Sequence, residues 1–324
     1  MSAYQFLPKF LRNRFNDKMK SLIAERLNES QNQASSIQIK EVEKMLLYVR
    51  NRMYMEMPEL MSISPEMQQV AEDFLKRNNL SANLNLSLSK NDLMFHYSLL
   101  HVGNILPAFE SYLAVGHQGF TIIQQIALQA FGGLMNTGNV LDFASGYGRI
   151  TRFLIQEHAV EHVWVSDIKQ KAVDFQKVAF GVQGFASVYQ PMSLKIGERF
   201  DLIFVGSLFS HLPIPTFREW LIQLKSMLTS RGILAFSVHD TSLFGVPTSE
   251  PFIFHPSSED ITFSEVEDHI DKSTEYGITY CSESFVKALC KELFLEIEIH
   301  RFPRLFGGLQ DVYCISDKHY ELTF

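Results

Sequence analysis

Val140-Leu141-Asp142-Phe143-Ala144-Ser145-Gly146-Tyr147-Gly148-Arg149 reads as a short apolar strand running into a loop of small residues that opens a helix. Small residues there let the backbone approach a ligand closely and leave the first helical N–H groups free to face its polar atoms. Asp167 ends the next apolar run, 21 residues after Gly146. A carboxylate at that place can take both hydroxyls of an adenosine ribose. Strand, loop, helix, strand and acid together imply a nucleoside ligand held on a βαβ unit.

Outward from this stretch the alternation continues. Strands are expected at Asn139–Phe143, His162–Ser166, Ala186–Tyr189, Leu202–Val205 and Ile233–Val238. Helices are expected from Arg149 and at Gln170–Phe180, Phe217–Leu228 and Ser282–Leu293. Such alternation builds a parallel sheet covered on both faces, an α/β fold. Two final strands, Leu295–Phe302 and Asp311–Ile315, are joined by Pro303–Gln310, too short a link for a crossover helix, so they should be antiparallel neighbours. Upstream the apolar pattern is helical: Ile39, Val42, Met45, Leu46, Val49 and Met53 form one stripe, stopped by Pro58. Ser64 and Pro65 suit an N-cap and first helical residue ahead of Met67, Val70 and Phe74, and a further helical stretch covers Met94 to Tyr112. The chain therefore divides into an all-helical region, 1–115, and an α/β domain, 116–324, with an insert at about 241–280.

Composition limits the partners. The 324 residues carry a net charge of −7, without the excess of Lys and Arg that a nucleic-acid surface needs. Cys281, Cys290 and Cys314 are odd in number and widely spaced, which fits buried thiols in a reducing cytoplasm. The uncharged stretch Ser111–Leu141 is interrupted by Gln118, Gln124, Gln125 and Gln129, so no membrane span is expected. The first twenty residues mix Lys9, Arg12, Arg14, Lys18 and Lys20 with Phe6, Phe10 and Phe15. This is no secretory signal but an amphipathic helix that folds onto its own domain or meets a partner, a second copy or a membrane surface. His158 and His162 have i,i+4 spacing, but the helix should end between them, so no metal site is expected.

Three details separate the possible nucleosides. Asp142 would repel a pyrophosphate but suits cationic groups; the helix continues Arg149-Ile150-Thr151 where a dinucleotide fold wants a third glycine; and the chain ends in an antiparallel pair rather than another parallel unit. Over Phe109–Asp317 the sequence resembles the class I, seven-stranded S-adenosylmethionine-dependent methyltransferases, and within them a bacterial branch of mostly unassigned acceptor. The family's D-x-G-x-G-x-G appears as Asp142-Phe143-Ala144-Ser145-Gly146-Tyr147-Gly148, with Ala144 in place of the first glycine. The fourth-strand segment is similar to Phe200–Leu212, and Ser230-Arg231-Gly232 stands where the family often has Pro-Gly-Gly.

The resemblance implies a Rossmann-like seven-stranded mixed sheet with an antiparallel last strand and helices on both faces. It implies S-adenosylmethionine as cofactor, S-adenosylhomocysteine as product, and methyl transfer to an O or N atom of a small-molecule or glycan-like acceptor. It places Asp142, Ala144, Ser145, Gly146, Tyr147 and Gly148 around the cofactor, Asp167 on the ribose, Ile168 and Gln190 at the adenine, and Ser207 and Leu208 at the sheet's carboxyl edge. His211 and His239 are the candidate bases, with Asp240 beside the latter. The insert, with Phe244, Phe252, Phe254, His255 and Tyr276, and the N-terminal helices are expected to form the acceptor site. A silent cofactor-binding regulatory protein is the competing reading, and a nicotinamide-dependent oxidoreductase a third.

Overall fold

Val140 and Asp142 face one side of their strand, Leu141 and Phe143 the other, and this period of two organises the molecule. The structure, a computed structural model, describes residues 63–81, 83–244, 249–256 and 275–324. The stripe from Ile39 to Met53, the basic first twenty residues and 257–274 of the insert lie outside them. The described chain begins with three helices, α1 (Pro65–Arg77), α2 (Leu93–Val102) and α3 (Ile105–Phe131). There follow β1 (Val140–Phe143), α4 (Thr151–Glu157), β2 (Val163–Asp167), α5 (Gln170–Phe180), β3 (Gln183–Ala186) and β4 (Phe200–Val205). The remaining elements are α6 (Ile214–Ser226), β5 (Leu228–Asp240), β6 (Phe252–Pro256), β7 (Gly277–Cys281), α7 (Glu283–Leu293), β8 (Glu298–Phe306) and β9 (Gln310–Ser316).

Strands β3, β2, β1, β4 and β5 lie side by side and parallel. β9 adds antiparallel to β5, and β8 antiparallel to β9, as the short link between them requires. The last two strands thus add antiparallel, where a dinucleotide fold would end in a further parallel unit. The seven strands implied by the resemblance are thus present, and the insert contributes two more. β6 and β7 form an antiparallel hairpin, and β7 pairs parallel with His239 and Asp240 at the end of β5. Because β9 holds one edge of β5 at His239 and β4 ends opposite Phe236, β7 occupies the other edge, beyond the end of β4.

Each face has its own apolar layer. Val140, Val165, Leu202, Phe204, Ile233 and Ala235 pack with α1, α3, α4 and α5, whereas Leu141, Phe143, Ile203, Leu234 and Phe236 pack with α6 and α7. Burial on both faces explains why these strands read as continuous apolar runs. Some boundaries differ from the sequence reading. The expected helix Met94–Tyr112 is two helices, because Gly103 ends α2 with φ 71° and Asn104 caps α3 through Leu106 N. β3 lies at Gln183–Ala186 rather than Ala186–Tyr189, with Gly184 paired beside Val165, where a Cβ would lie 2.8 Å from Val165 Cγ2.

The boundary expected at 115/116 falls inside α3, which contacts α1 and α2 as well as β4 and β8. Gly116 and Gly119, one turn apart, press this helix onto the end of the β1 loop. A Cβ at Gly116 would lie 2.2 Å from the Arg149 carbonyl oxygen, and one at Gly119 would lie 2.6 Å from Ile150 Cδ1. Gly116→Ala gains helix propensity of at most about 1 kcal/mol but forces a backbone contact apart. It should lower unfolding stability by about 1–3 kcal/mol in urea titration, whereas an unchanged midpoint would contradict this packing.

Candidate functional site

The loop after β1 is built by hydrogen bonds to β2 and α5. Ser145 N–H donates to the Ser166 carbonyl at 3.0 Å, and Gly146 N–H donates to Asp167 Oδ2 at 2.9 Å. Lys169 N–H donates to Asp167 Oδ1 at 2.9 Å, so the carboxylate is aimed before any ligand arrives. Buried Gln176, on α5, donates from Nε2 to Ser145 Oγ and to the Gly146 carbonyl, both at 2.8 Å. Nothing in the sequence pointed to Gln176, which has only its place on the inner side of a helix.

The two glycines do different work. At Gly146, φ 56°, an added Cβ would meet nothing within 4 Å, so the backbone stands open to the cavity. At Gly148, φ 80°, it would lie 2.3 Å from Phe180 Cε2 and 2.7 Å from Gln176 Oε1, so this glycine serves helix packing. Ala144, where the resemblance leads one to expect glycine, holds φ 58°, a conformation that costs an L-residue about 1 kcal/mol.

A cavity of about 300 Å³ opens at the carboxyl ends of β1, β2 and β4, where open α/β sheets bind ligands. Of the residues singled out in the sequence it brings together Asp142, Ala144, Ser145, Gly146, Tyr147, Asp167, Ile168, Ser207, Leu208, His211 and Tyr276. Gly148, Gln190 and His239 do not line it, nor do Phe252, Phe254 and His255 of the insert. Phe252 is instead part of the core, its ring 4.8 Å from that of Phe285. Sequence reading missed Arg149, Ser187–Tyr189, Glu275, Phe306 and the turn into α2, Asp92-Leu93-Met94. Asp92 caps α2, accepting from Met94 N and Phe95 N through Oδ1; only the tertiary fold brings it to the loop.

Behind the loop, Arg152 is fully buried. It donates to the carbonyls of Gly148, Asn85 and Ser87 and to Tyr112 Oη, at 3.1–3.3 Å. Tyr112 in turn donates to Asp92 Oδ2 at 2.6 Å. Opposite, Ser207 (φ 65°) donates its N–H to Ser237 Oγ at 2.8 Å and accepts from Gln310 Nε2 at 3.0 Å. The first residue of the antiparallel β9 therefore fixes the turn after β4.

Burial dominates the electrostatics. It pushes Asp142 up to about 7, against the lowering by Thr151, which donates from Oγ1 at 2.8 Å, and by the nearby Arg149. Asp167 is raised from the ordinary carboxylate range by burial, partly offset by the Lys169 and Gly146 N–H groups. His211 is held below the usual histidine value, again by burial. Its Nδ1 lies 2.7 Å from the Gly277 carbonyl oxygen on β7. A carbonyl can only accept, so Nδ1 carries the proton and the neutral ring keeps its lone pair on Nε2. The ring stacks on Tyr276, with centroids 5.0 Å apart. His239 is also lowered by burial, bonds the Thr279 backbone, and leaves a buried Nδ1 without a partner.

Two other expectations concern absences. Among the described residues no group of three or more His, Cys, Asp or Glu is placed to hold a metal, and no helix is long and apolar enough to cross a membrane. His158 and His162 bond the Gly138 carbonyl and Asn139 Oδ1 respectively.

No family model matches the sequence, and no curated protein matches it. Solved structures similar to the chain include an S-adenosylmethionine-dependent methyltransferase from Clostridium acetobutylicum (13% identity, 62% of this chain and 90% of that one, TM-score 0.44). The glycopeptide N-methyltransferase MtfA has 13% identity over 62% of this chain and 90% of its own, with a TM-score of 0.42. A TehB-like S-adenosylmethionine-dependent methyltransferase from Corynebacterium glutamicum has 15% identity over 68% and 94%, with a TM-score of 0.41. Similarity this low leaves the site to be judged from this chain's own geometry.

The raised Asp142 gives a stability prediction. Its folded value, about 7, exceeds the ordinary 3.8, so the folded protein binds the extra proton between those values. Stability should therefore fall as pH rises through this window and level off above it. Asp142→Asn removes the slope: the variant should match the parent near pH 4 and exceed it at pH 8, by roughly 4 kcal/mol at most. Urea titrations across pH measure this, and parallel curves for the two proteins would refute it.

Proposed function

We propose that this chain is an S-adenosylmethionine-dependent methyltransferase acting on an oxygen or nitrogen atom of a small-molecule or glycan-like acceptor, with S-adenosylhomocysteine as product. One observation carries the reading: an open loop at Gly146 is hydrogen-bonded to a ribose-type carboxylate, Asp167, with a second carboxylate, Asp142, buried behind it in one cavity wall. These residues suit the cofactor chemically. Each Asp167 oxygen accepts one backbone N–H and retains lone-pair capacity for a ribose hydroxyl. Ile168 and Val188 offer apolar surface for an adenine, and Asp142 offers negative charge for a cationic group. Gln190, outside the wall, keeps only an indirect part, through the loop that carries Ser187–Tyr189.

The bound cofactor supplies a methyl group already activated on a sulfonium. The protein's task is to align the acceptor, exclude water and accept a proton. His211 is equipped for the last of these: it is neutral, with Nδ1–H tied to the Gly277 carbonyl and Nε2 left as the acceptor of the acceptor group's proton. His239, turned to the Thr279 backbone, supports β7 rather than reaching the cavity. Tyr276, from the insert, stacks on His211, and Glu275, Leu93 and Met94 line the same cavity; in this reading they are the residues that meet the acceptor. In this reading the protein works in the cytoplasm with no nucleic-acid partner. In the same reading the start of α2 closes the site, and the region before residue 63 is the proposed contact for a second copy or another protein.

Calorimetry with S-adenosylhomocysteine tests the reading, which fails if the purified protein shows no saturable binding. Asp167→Ala should weaken that binding by about 1–3 kcal/mol, the cost of losing a buried charged acceptor. His211→Gln should lower S-adenosylhomocysteine release on a panel of hydroxyl and amine acceptors by about 10²–10⁴-fold while leaving cofactor binding intact. In the parent protein the same rate should rise with pH and level off below the ordinary histidine value, because burial depresses His211. Tight binding with no release from any acceptor would favour a silent regulatory protein.

A further inference from the structure

Arg149 ends the quoted loop, lines the cavity, and makes no hydrogen bond or ion pair with any described residue. The contrast with its neighbours is sharp. Of the other arginines that are not exposed, Arg152 donates four hydrogen bonds, and Arg218, Arg231 and Arg301 each hold a carboxylate. A guanidinium removed from bulk water without a partner is costly, and a chain that keeps one does so where something else will pair with it.

The carboxylates nearest in the field of Arg149 are engaged elsewhere. Asp92 and Asp142 both act on it electrostatically, yet neither lies within ion-pair distance. Asp92 spends Oδ1 on the cap of α2 and Oδ2 on Tyr112. Asp142 spends Oδ2 on Thr151. No Arg149 nitrogen is among the sealed, partnerless polar atoms of the interior, so the fork is reachable from the cavity. Its fixed planar geometry matches two oxygens of an acid group better than any other common ligand group.

We infer that Arg149 is the carboxylate subsite of this cavity, pairing through its guanidinium fork with an acid group of a bound molecule. This rests on the reading of the cavity as an S-adenosylmethionine site, and the acid belongs either to the cofactor's amino-acid arm or to the acceptor. Where the acid is the cofactor's, Asp142 and Arg149, on either side of the loop, sort its zwitterionic arm by charge, the ammonium toward one and the carboxylate toward the other.

The test compares S-adenosylhomocysteine with 5′-methylthioadenosine, the same nucleoside thioether without the amino-acid arm, by calorimetry on the full chain. If the cofactor supplies the acid, Arg149→Met should lose at least tenfold in S-adenosylhomocysteine affinity and stay within twofold for 5′-methylthioadenosine, with Arg149→Lys between. Retained 5′-methylthioadenosine binding also shows that the variant has folded; should Arg149→Met bind neither nucleoside, Arg149→Lys carries the comparison. If the acceptor supplies the acid, both affinities stay within twofold. Acetate, against chloride of equal ionic strength, should then raise the melting temperature of the parent but not of Arg149→Met, with or without S-adenosylhomocysteine. Unchanged affinities together with an acetate response that is absent, or equal in parent and variant, overturn the inference. A parent that binds neither nucleoside overturns the cofactor reading instead, and the acetate comparison then decides on Arg149 by itself.

Discussion

The site depends on one buried cation. Arg152 sits directly behind the loop, and its guanidinium satisfies the carbonyls of Gly148, Asn85 and Ser87 as well as the hydroxyl of Tyr112. Those four groups come from three parts of the chain: the β1 loop, the extended strap before α2, and helix α3. A buried guanidinium is tolerated only where its donors are met, so the strap and α3 have to be in place for the loop to have its shape. The rings of Tyr112 and Phe180 lie 5.2 and 5.4 Å from the guanidinium carbon and complete the cage. This is why the helices before residue 116 belong physically to the site: through Asp92 the same network delivers the start of α2 to the cavity wall.

From that anchor the charges around the loop follow. Asp142 and Asp167 lie at the carboxyl ends of adjacent strands and are both desolvated; Asp167 further favours the neutral form of Asp142, and Asp92 that of Asp167. The fold limits the conflict by giving Asp167 two backbone N–H donors and Asp142 the Thr151 hydroxyl. Arg149 stabilises the ionised form of Asp142 from a distance without forming an ion pair. The result is a wall with two acids and an unpaired guanidinium, more costly unliganded than with a ligand whose charges complement it, which is the condition for tight and oriented binding.

The parallel sheet was legible because strands buried on both faces leave continuous apolar runs, as in Leu202-Ile203-Phe204-Val205, and because the link from β8 to β9 is too short to cross over. The loop and its acid were legible because their residue types and spacing are dictated by the backbone itself. What escaped were features set by side chains far apart in sequence. Gln176, Asp92 and Arg149 carry no local pattern beyond an inward helix position, a cap and a first turn. Phe252 and Phe254 misled for a related reason: aromatic residues in an insert look alike whether they face a ligand or, as Phe252 does against Phe285, the core. Gly148 was read as a ligand-facing glycine, yet it is required by the approach of Phe180 and Gln176.

The insert shows how a strand can set the state of a catalytic candidate without touching a ligand. β7 runs beyond the end of β4, and its backbone donates from Gly277 N–H to the His211 carbonyl at 2.9 Å and from Thr279 N–H to the Ser210 carbonyl at 2.8 Å. Its carbonyls at Gly277 and Thr279 receive the rings of His211 and His239. One strand thus orders the turn after β4 and fixes which nitrogen of His211 holds the proton. Gly277 has to be glycine for this, since a Cβ there would lie 2.0 Å from the His255 carbonyl oxygen across the hairpin. The basic lone pair of His211 therefore depends on how β7 sits against the turn after β4, which brings the Gly277 carbonyl rather than an N–H to Nδ1 and so fixes the tautomer.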